Sequence, residues 1–205
     1  MTSEVTKGGL PTWAKWLIGI AVAGIVVFIT GIIVVMWSFS QMFKQDAASV
    51  GKLARDVAEF STPLPEGYHF KMGVDVPVVG IKMVGVEHDP DKQMVLITSY
   101  PTSEKVTAEE FVEKVADKGV MTPGQAQNGR IEEIKAKGTE TVGGESMPYL
   151  VGTMTDKTGA KVEGMLGCVI SKAKGKTVLI LGLQQGDGAF DLDVTRKLLK
   201  SIKSF

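Results

Sequence analysis

Residues 17–36 read LIGIAVAGIVVFITGIIVVM, a run with no charged side chain and a single hydroxyl, Thr30. No other feature constrains the chain as strongly. At helical rise, about twenty residues cover about 30 Å, the thickness of a bilayer's hydrocarbon core. Trp13 and Trp16 flank one end and Trp37 the other, at the level where indoles favour lipid headgroups. A soluble core helix of this length would carry polar positions. A cleaved signal peptide has a shorter apolar region. The pattern therefore predicts an uncleaved transmembrane helix over 16–37, behind a short cytoplasmic tail, 1–15. Lys15, close to the membrane edge, places the N-terminus inside and the remainder on the extracytoplasmic, periplasmic side. A single-pass integral membrane chain is the expectation.

Within this span Trp16 and Trp37 serve as interface anchors, and the small residues mark a packing face. Gly19 and Ala23 are four apart, and Gly24 and Gly31 are seven apart. Such notches let a neighbouring helix approach closely. Beyond Trp37 the chain lacks proline until Pro63, and Phe43, Ala47, Val50, Ala54 and Val57 recur at alternating spacings of four and three. That is the period of a coiled coil or packed helix. The reading is a helical stalk over 38–60, with those five residues forming a seam for a partner helix. Ser61-Thr62-Pro63-Leu64-Pro65 ends it.

The remaining stretch, 61–205, is long enough for one domain with its own core. It carries 18 basic and 19 acidic residues, with no basic excess of the kind a nucleic-acid binder shows. The single cysteine, Cys168, excludes an internal disulfide. Alternating or continuous apolar runs predict strands over 69–74, 80–87 and 93–100, with Asp89-Pro90-Asp91-Lys92 as a turn. Thr107 and Glu110 form a capping box for a helix ending at Gly119. A loop follows over 121–129. Strands are then predicted over 130–137, 146–155, 161–171 and 177–183, joined by hairpin-like turns. A last amphipathic helix is expected over 191–204, presenting Val194, Leu198, Leu199, Ile202 and Phe205 on one side. The fold class that follows is α+β: an N-terminal transmembrane helix and helical stalk, then an antiparallel sheet flanked by helices.

This order of elements, with the ending Leu198-Leu199-Lys200-Ser201-Ile202-Lys203-Ser204-Phe205, resembles the PsbP-like α/β sandwich families. The resemblance implies an accessory or binding role without catalysis, and it assigns no site residue.

Motifs with chemical content are few. Gly186-Asp187-Gly188-Ala189-Phe190-Asp191 echoes the start of a dinucleotide loop, but acidic residues stand where phosphate requires positive potential, and a turn with an N-cap accounts for it. Glu87-His88-Asp89-Pro90-Asp91 gathers possible metal ligands, yet neighbouring strand residues point to opposite faces, so Glu87 and His88 diverge. Cys168 sits in an apolar strand as a buried thiol. Met72, Met83, Met94, Met147, Met154 and Met165 are scattered over strand positions as core fillers. No catalytic, cofactor or metal site is assigned, and the chain is read as a non-enzyme. The expected function is an accessory or interaction subunit of a membrane protein complex. Its partners would be the bilayer and either a membrane protein or a second copy of the chain. The alternative is a membrane-tethered ligand-binding or sensory domain.

Overall fold

The computed structural model describes residues 43–44, 46–102, 106–118, 120–122, 125–128, 131–155, 160–185 and 188–205, all within a unit running from Met42 to Phe205. The elements in chain order are β1 (Phe43–Lys44), α1 (Ala47–Val57), β2 (Glu59–Phe60), β3 (Tyr68–Val76), β4 (Ile81–His88), β5 (Gln93–Pro101), α2 (Ala108–Lys118), β6 (Val120–Thr122), β7 (Gln125–Asn128), β8 (Ile131–Val142), β9 (Glu145–Thr155), β10 (Lys161–Ser171), β11 (Lys176–Gln184), α3 (Leu192–Leu199) and β12 (Ile202–Ser204). Eight strands form one sheet in the order β1-β3-β4-β5-β11-β10-β9-β8. Every pairing in it is antiparallel. The sheet is two meanders, β3-β4-β5 and β8-β9-β10-β11, joined where β11 pairs with β5.

Both faces carry helices. On the first, Val84, Val86, Val95, Ile97, Val178 and Ile180 meet Val50, Leu53, Ala54 and Val57 of α1 and Leu198 and Leu199 of α3. On the second, Leu150, Met154, Leu166, Cys168 and Leu179 meet Val112 and Ala116 of α2. Local chemistry sets the helix ends. The Asp46 side chain accepts from Ser49 N at 2.8 Å to start α1, satisfying an amide that has no partner inside the helix. The capping box forms as expected: Glu110 N donates to Thr107 Oγ1 and Thr107 N donates to Glu110 Oε2, at 3.2 and 3.0 Å.

The structure corrects the expected architecture. Residues 16–37, with Trp16, Gly19, Ala23, Gly24, Gly31 and Trp37, lie outside the described residues. Among the described residues no helix is long and apolar enough to cross a membrane. The longest helices have 11 residues, about 16 Å against the roughly 30 Å of a bilayer core. Among the described residues the class is a mostly antiparallel sheet with three short helices, not a helical stalk. The single-pass, extracytoplasmic localisation expected from the apolar run has no support among the described residues.

The stalk itself is absent as a seam. Phe43 is in β1, paired with Val74, and Ala47 is exposed in the first turn of α1. Val50, Ala54 and Val57 are sealed in the core, because α1 lays its apolar stripe on the chain's own sheet. The last helix is also shorter than its periodicity predicts. Ser201 Oγ donates to Leu198 O at 2.6 Å, the helix stops at Leu199, and Ile202–Ser204 becomes β12, paired with β2. Ile202 and Phe205 are buried all the same.

Candidate functional site

The helices cover the second face unevenly. Helix α2 packs on β9 and β10, and there the sheet side chains are buried. Over the first meander they are not. Register places Met72 opposite Gly85, Val74 opposite Met83 and Val76 opposite Ile81, with Leu96 beyond Gly85 on β5 and Leu181 beyond Leu96 on β11. These residues share one face, and Met72, Val74, Val76, Ile81, Met83, Leu96 and Leu181 are each only partly buried. Phe43 is 53% exposed at the sheet's edge, and Val78 is 90% exposed in the turn between β3 and β4. Residues directly across from them, Val84, Val86 and Ile97, are fully buried under α1. Among the described residues, no element covers this half of the second face.

At the opposite end of the same strands, polar residues collect. Tyr68, His88, Gln93 and Gln184 are consecutive register partners across β3, β4, β5 and β11, so they form one row on the first face. Gln93 is 1% exposed and satisfied: its Nε2 donates to Asp191 O and Thr195 Oγ1, and its Oε1 accepts from Asp191 N, each at 2.9 Å. This clamp holds the start of α3 to β5. Tyr68 stacks on His88 with centroids 4.3 Å apart, and its hydroxyl donates to Val194 O at 2.5 Å. Burial, then the nearby Asp91 and Asp191, push the phenol up to about 12, so it remains a donor at neutral pH. His88 Nδ1 lies 2.8 Å from Asp91 Oδ2. Its other nitrogen faces the backbone of Gly67, where a Cβ would stand 2.6 Å away. Gly67 has φ +88°, a conformation suited to glycine, and it closes the imidazole off.

Beside this row a cleft of about 840 Å³ opens between the β4–β5 turn and the loop before α3, lined among others by Asp91, Lys92, Gln184, Phe190 and Asp191. Gln184 Nε2 donates to Asp91 O at 2.9 Å, while its buried Oε1 has no hydrogen-bond partner among the described residues.

A second polar group sits on the other face of the same end. His69 pairs in register with Glu87. His69 Nε2 is 3.5 Å from Glu87 Oε2, and its Nδ1 is 3.2 Å from Asp89 Oδ2. Lys71 Nζ is 2.7 Å from Glu87 Oε2, and the hydrogen bond to Glu87, followed by its charge, raises the Lys71 pKa. Alternation separates Glu87 from His88 as expected, but the neighbouring strand supplies the other histidine.

Of the motifs singled out in the sequence, Cys168 is fully buried; burial first, with a contribution from Glu109, pushes its thiol up to about 12. Gly186 and Asp187 lie outside the described residues. Asp191 is the cap of α3, its side chain accepting from Asp193 N at 2.8 Å. Met147, Met154 and Met165 are buried core, but Met72, Met83 and Met94 are not. The uncovered face and the His69 cluster were both invisible to sequence reasoning, because each depends on the register between strands.

No protein-family model matches the chain, and no curated protein matches it. Among solved structures the chain is similar to the solution structure of cyanobacterial PsbP (CyanoP) from Synechocystis sp. PCC 6803, at 14% sequence identity and a TM-score of 0.40, over 78% of this chain and 87% of that one. At that level the similarity is a loose likeness of fold, and it carries no argument about role or partner.

Proposed function

We propose that this chain is a non-catalytic accessory module that works by holding a partner protein against the uncovered half of its sheet. The observation that supports the reading is the apolar surface formed by Met72, Val74, Ile81, Met83 and Leu96, with Phe43 and Val78 exposed at its margins. Contiguous exposed apolar surface on a folded unit marks an interaction site. Methionine suits such a surface, since its flexible thioether adapts to a partner's shape. The chemistry elsewhere agrees with a binding role: the thiol is buried and protonated, and the His88 imidazole is closed off by Gly67.

The test is co-purification of the intact chain, followed by the double substitution Met83→Glu and Phe43→Ser. Loss of a stoichiometric partner with an unchanged melting temperature supports the reading. A partner retained by the folded variant refutes it. The cleft beside Gln184 favours a second reading, a ligand-binding or sensory domain, because a buried acceptor without a partner suits a ligand's donor. A monodisperse lone protein that carries a bound small molecule, lost on Gln184→Leu, would support that reading instead.

A further inference from the structure

We propose that His69, Glu87 and Asp89 form a binding site for one divalent transition-metal ion, with Zn²⁺ as the best match. The inference stands apart from the partner surface and does not depend on it. One imidazole and two carboxylates offer three donors whose ligand atoms all lie within 4.8 Å of one another. The set mixes nitrogen and oxygen. Ca²⁺ and Mg²⁺ prefer oxygen alone, whereas imidazole suits Zn²⁺ and its neighbours. A tetrahedral ion with bonds of about 2.0–2.2 Å holds its ligand atoms roughly 3.3 Å apart. His69 Nε2 and Glu87 Oε2 already stand 3.5 Å apart, so one edge of the tetrahedron is nearly in place.

Two of the three donors are positioned by the fold. His69 and Glu87 are direct register partners on neighbouring strands, which fixes their separation through the backbone. Glu87 is the anchored one, its side chain 14% exposed and its Oε2 closed to solvent. Asp89 begins the turn after β4, and its side chain is 71% exposed. Its Oδ2 now faces Nδ1, on the far side of the ring from Glu87, so the proposed site requires this exposed side chain to turn to the Nε2 side. Three protein ligands and a water then complete four-coordination.

Lys71 is the competing cation. It lies beside a register shift between Phe70 and Met72, with its ammonium on the same Glu87 oxygen. Metal and ammonium would share one carboxylate oxygen, and their like charges repel, so the ion binds as Lys71 swings out to water. That competition gives the site a signature that loose association of ions with surface carboxylates would lack.

The experiment titrates the full chain with ZnCl₂ by calorimetry and with CoCl₂ by visible absorption, with circular dichroism melts to show that each variant is folded. The expected result is saturable binding of one ion per chain, with the intense visible bands of tetrahedral Co²⁺. His69→Ala and Glu87→Gln should each weaken binding by about tenfold or more, at least the loss seen when a supporting partner is removed. Lys71→Met should tighten it. Absence of saturable binding overturns the proposal, and so does a folded His69→Ala that binds as the parent does. A Lys71→Met variant with unchanged affinity overturns the assigned geometry. Should His69→Ala fail to fold, Lys71→Met and Asp89→Asn, both at exposed side chains, decide the matter by moving affinity in opposite directions or failing to.

Discussion

Replacing Leu53 by alanine separates a helix that is part of the core from one that stands away from it. Leu53 is 1% exposed, on the stripe of α1 that also buries Val50, Ala54 and Val57. Its Cδ2 lies 2.8 Å from the point where a Cβ on Gly73 would stand, so the leucine fills the space that glycine leaves on β3. Gly73 itself has no side chain to relax into the vacancy. Leu→Ala substitutions in cores lose about 2–5 kcal/mol, more where the surroundings cannot collapse. The upper part of that range, about 3–5 kcal/mol, is expected here. It is a large share of the roughly 5–15 kcal/mol that stabilises a typical domain. At about 2–4 °C per kcal/mol for a unit of this size, the melting temperature should fall by roughly 6–20 °C. The assay is urea and thermal unfolding followed by far-ultraviolet circular dichroism, since all three tryptophans, Trp13, Trp16 and Trp37, precede the described unit. Lys52→Ala, on the exposed side of the same helix, is the control and should stay within about 0.5 kcal/mol. If Leu53→Ala also stays within about 0.5 kcal/mol of the parent, α1 does not belong to the core and the packing argument fails.

Three further outcomes follow from the same geometry. Gln93→Leu leaves Thr195 Oγ1, in a fully buried residue, without its partner, and should cost about 1–3 kcal/mol and raise hydrogen exchange at the start of α3; native-like protection there would contradict the clamp. Asp56 is held below the usual carboxylate range, first by its hydrogen bond from Lys82. Its folded pKa is depressed, so its contribution is complete above about pH 5 and is lost as acid protonates it. Because the pair is largely exposed, Asp56→Asn should cost under about 1 kcal/mol at neutral pH, and the two melting temperatures should converge in acid. Cys168 should resist thiol reagents at pH 8 until the chain is denatured, because the reactive species is the thiolate and burial holds that thiol up to about 12; rapid labelling of the native protein would show the strand to be open.

Alternation and turn chemistry made most strands legible. The turn at Asp89-Pro90-Asp91-Lys92 and the Thr107–Glu110 box were readable because both are local, formed by residues within four positions. What covers an apolar stripe is a different kind of fact. Val50, Ala54 and Val57 show the same four-three spacing whether a helix lies on a partner or on its own sheet, and only Leu53, outside that spacing, widens the stripe to the breadth of a globular face. The closing helix was overextended for a related reason, since Ile202 and Phe205, buried as observed, also fall on the helical stripe, and periodicity cannot tell β12 from another turn. Met72, Met83 and Met94 are indistinguishable in sequence from Met147 and Met165, although the first three are partly open and the last two sealed. His69 and Glu87 are neighbours because of β3–β4 pairing, and spacing along the chain cannot convey that.

The pairing of β11 with β5 is the only ladder in the large sheet that joins its two meanders. Every other link within a meander is a hairpin between consecutive strands and can form from nearby chain. This one closes a loop of many dozens of residues, and loop entropy must be met before any of its backbone bonds form. High sequence separation of that kind slows folding. The two meanders are thus expected to assemble early and to find each other late, with β5 and β11 as temporarily open edges. An open edge accepts a matching strand from any copy of the chain. At high concentration these two edges are where pairing between copies is expected during folding.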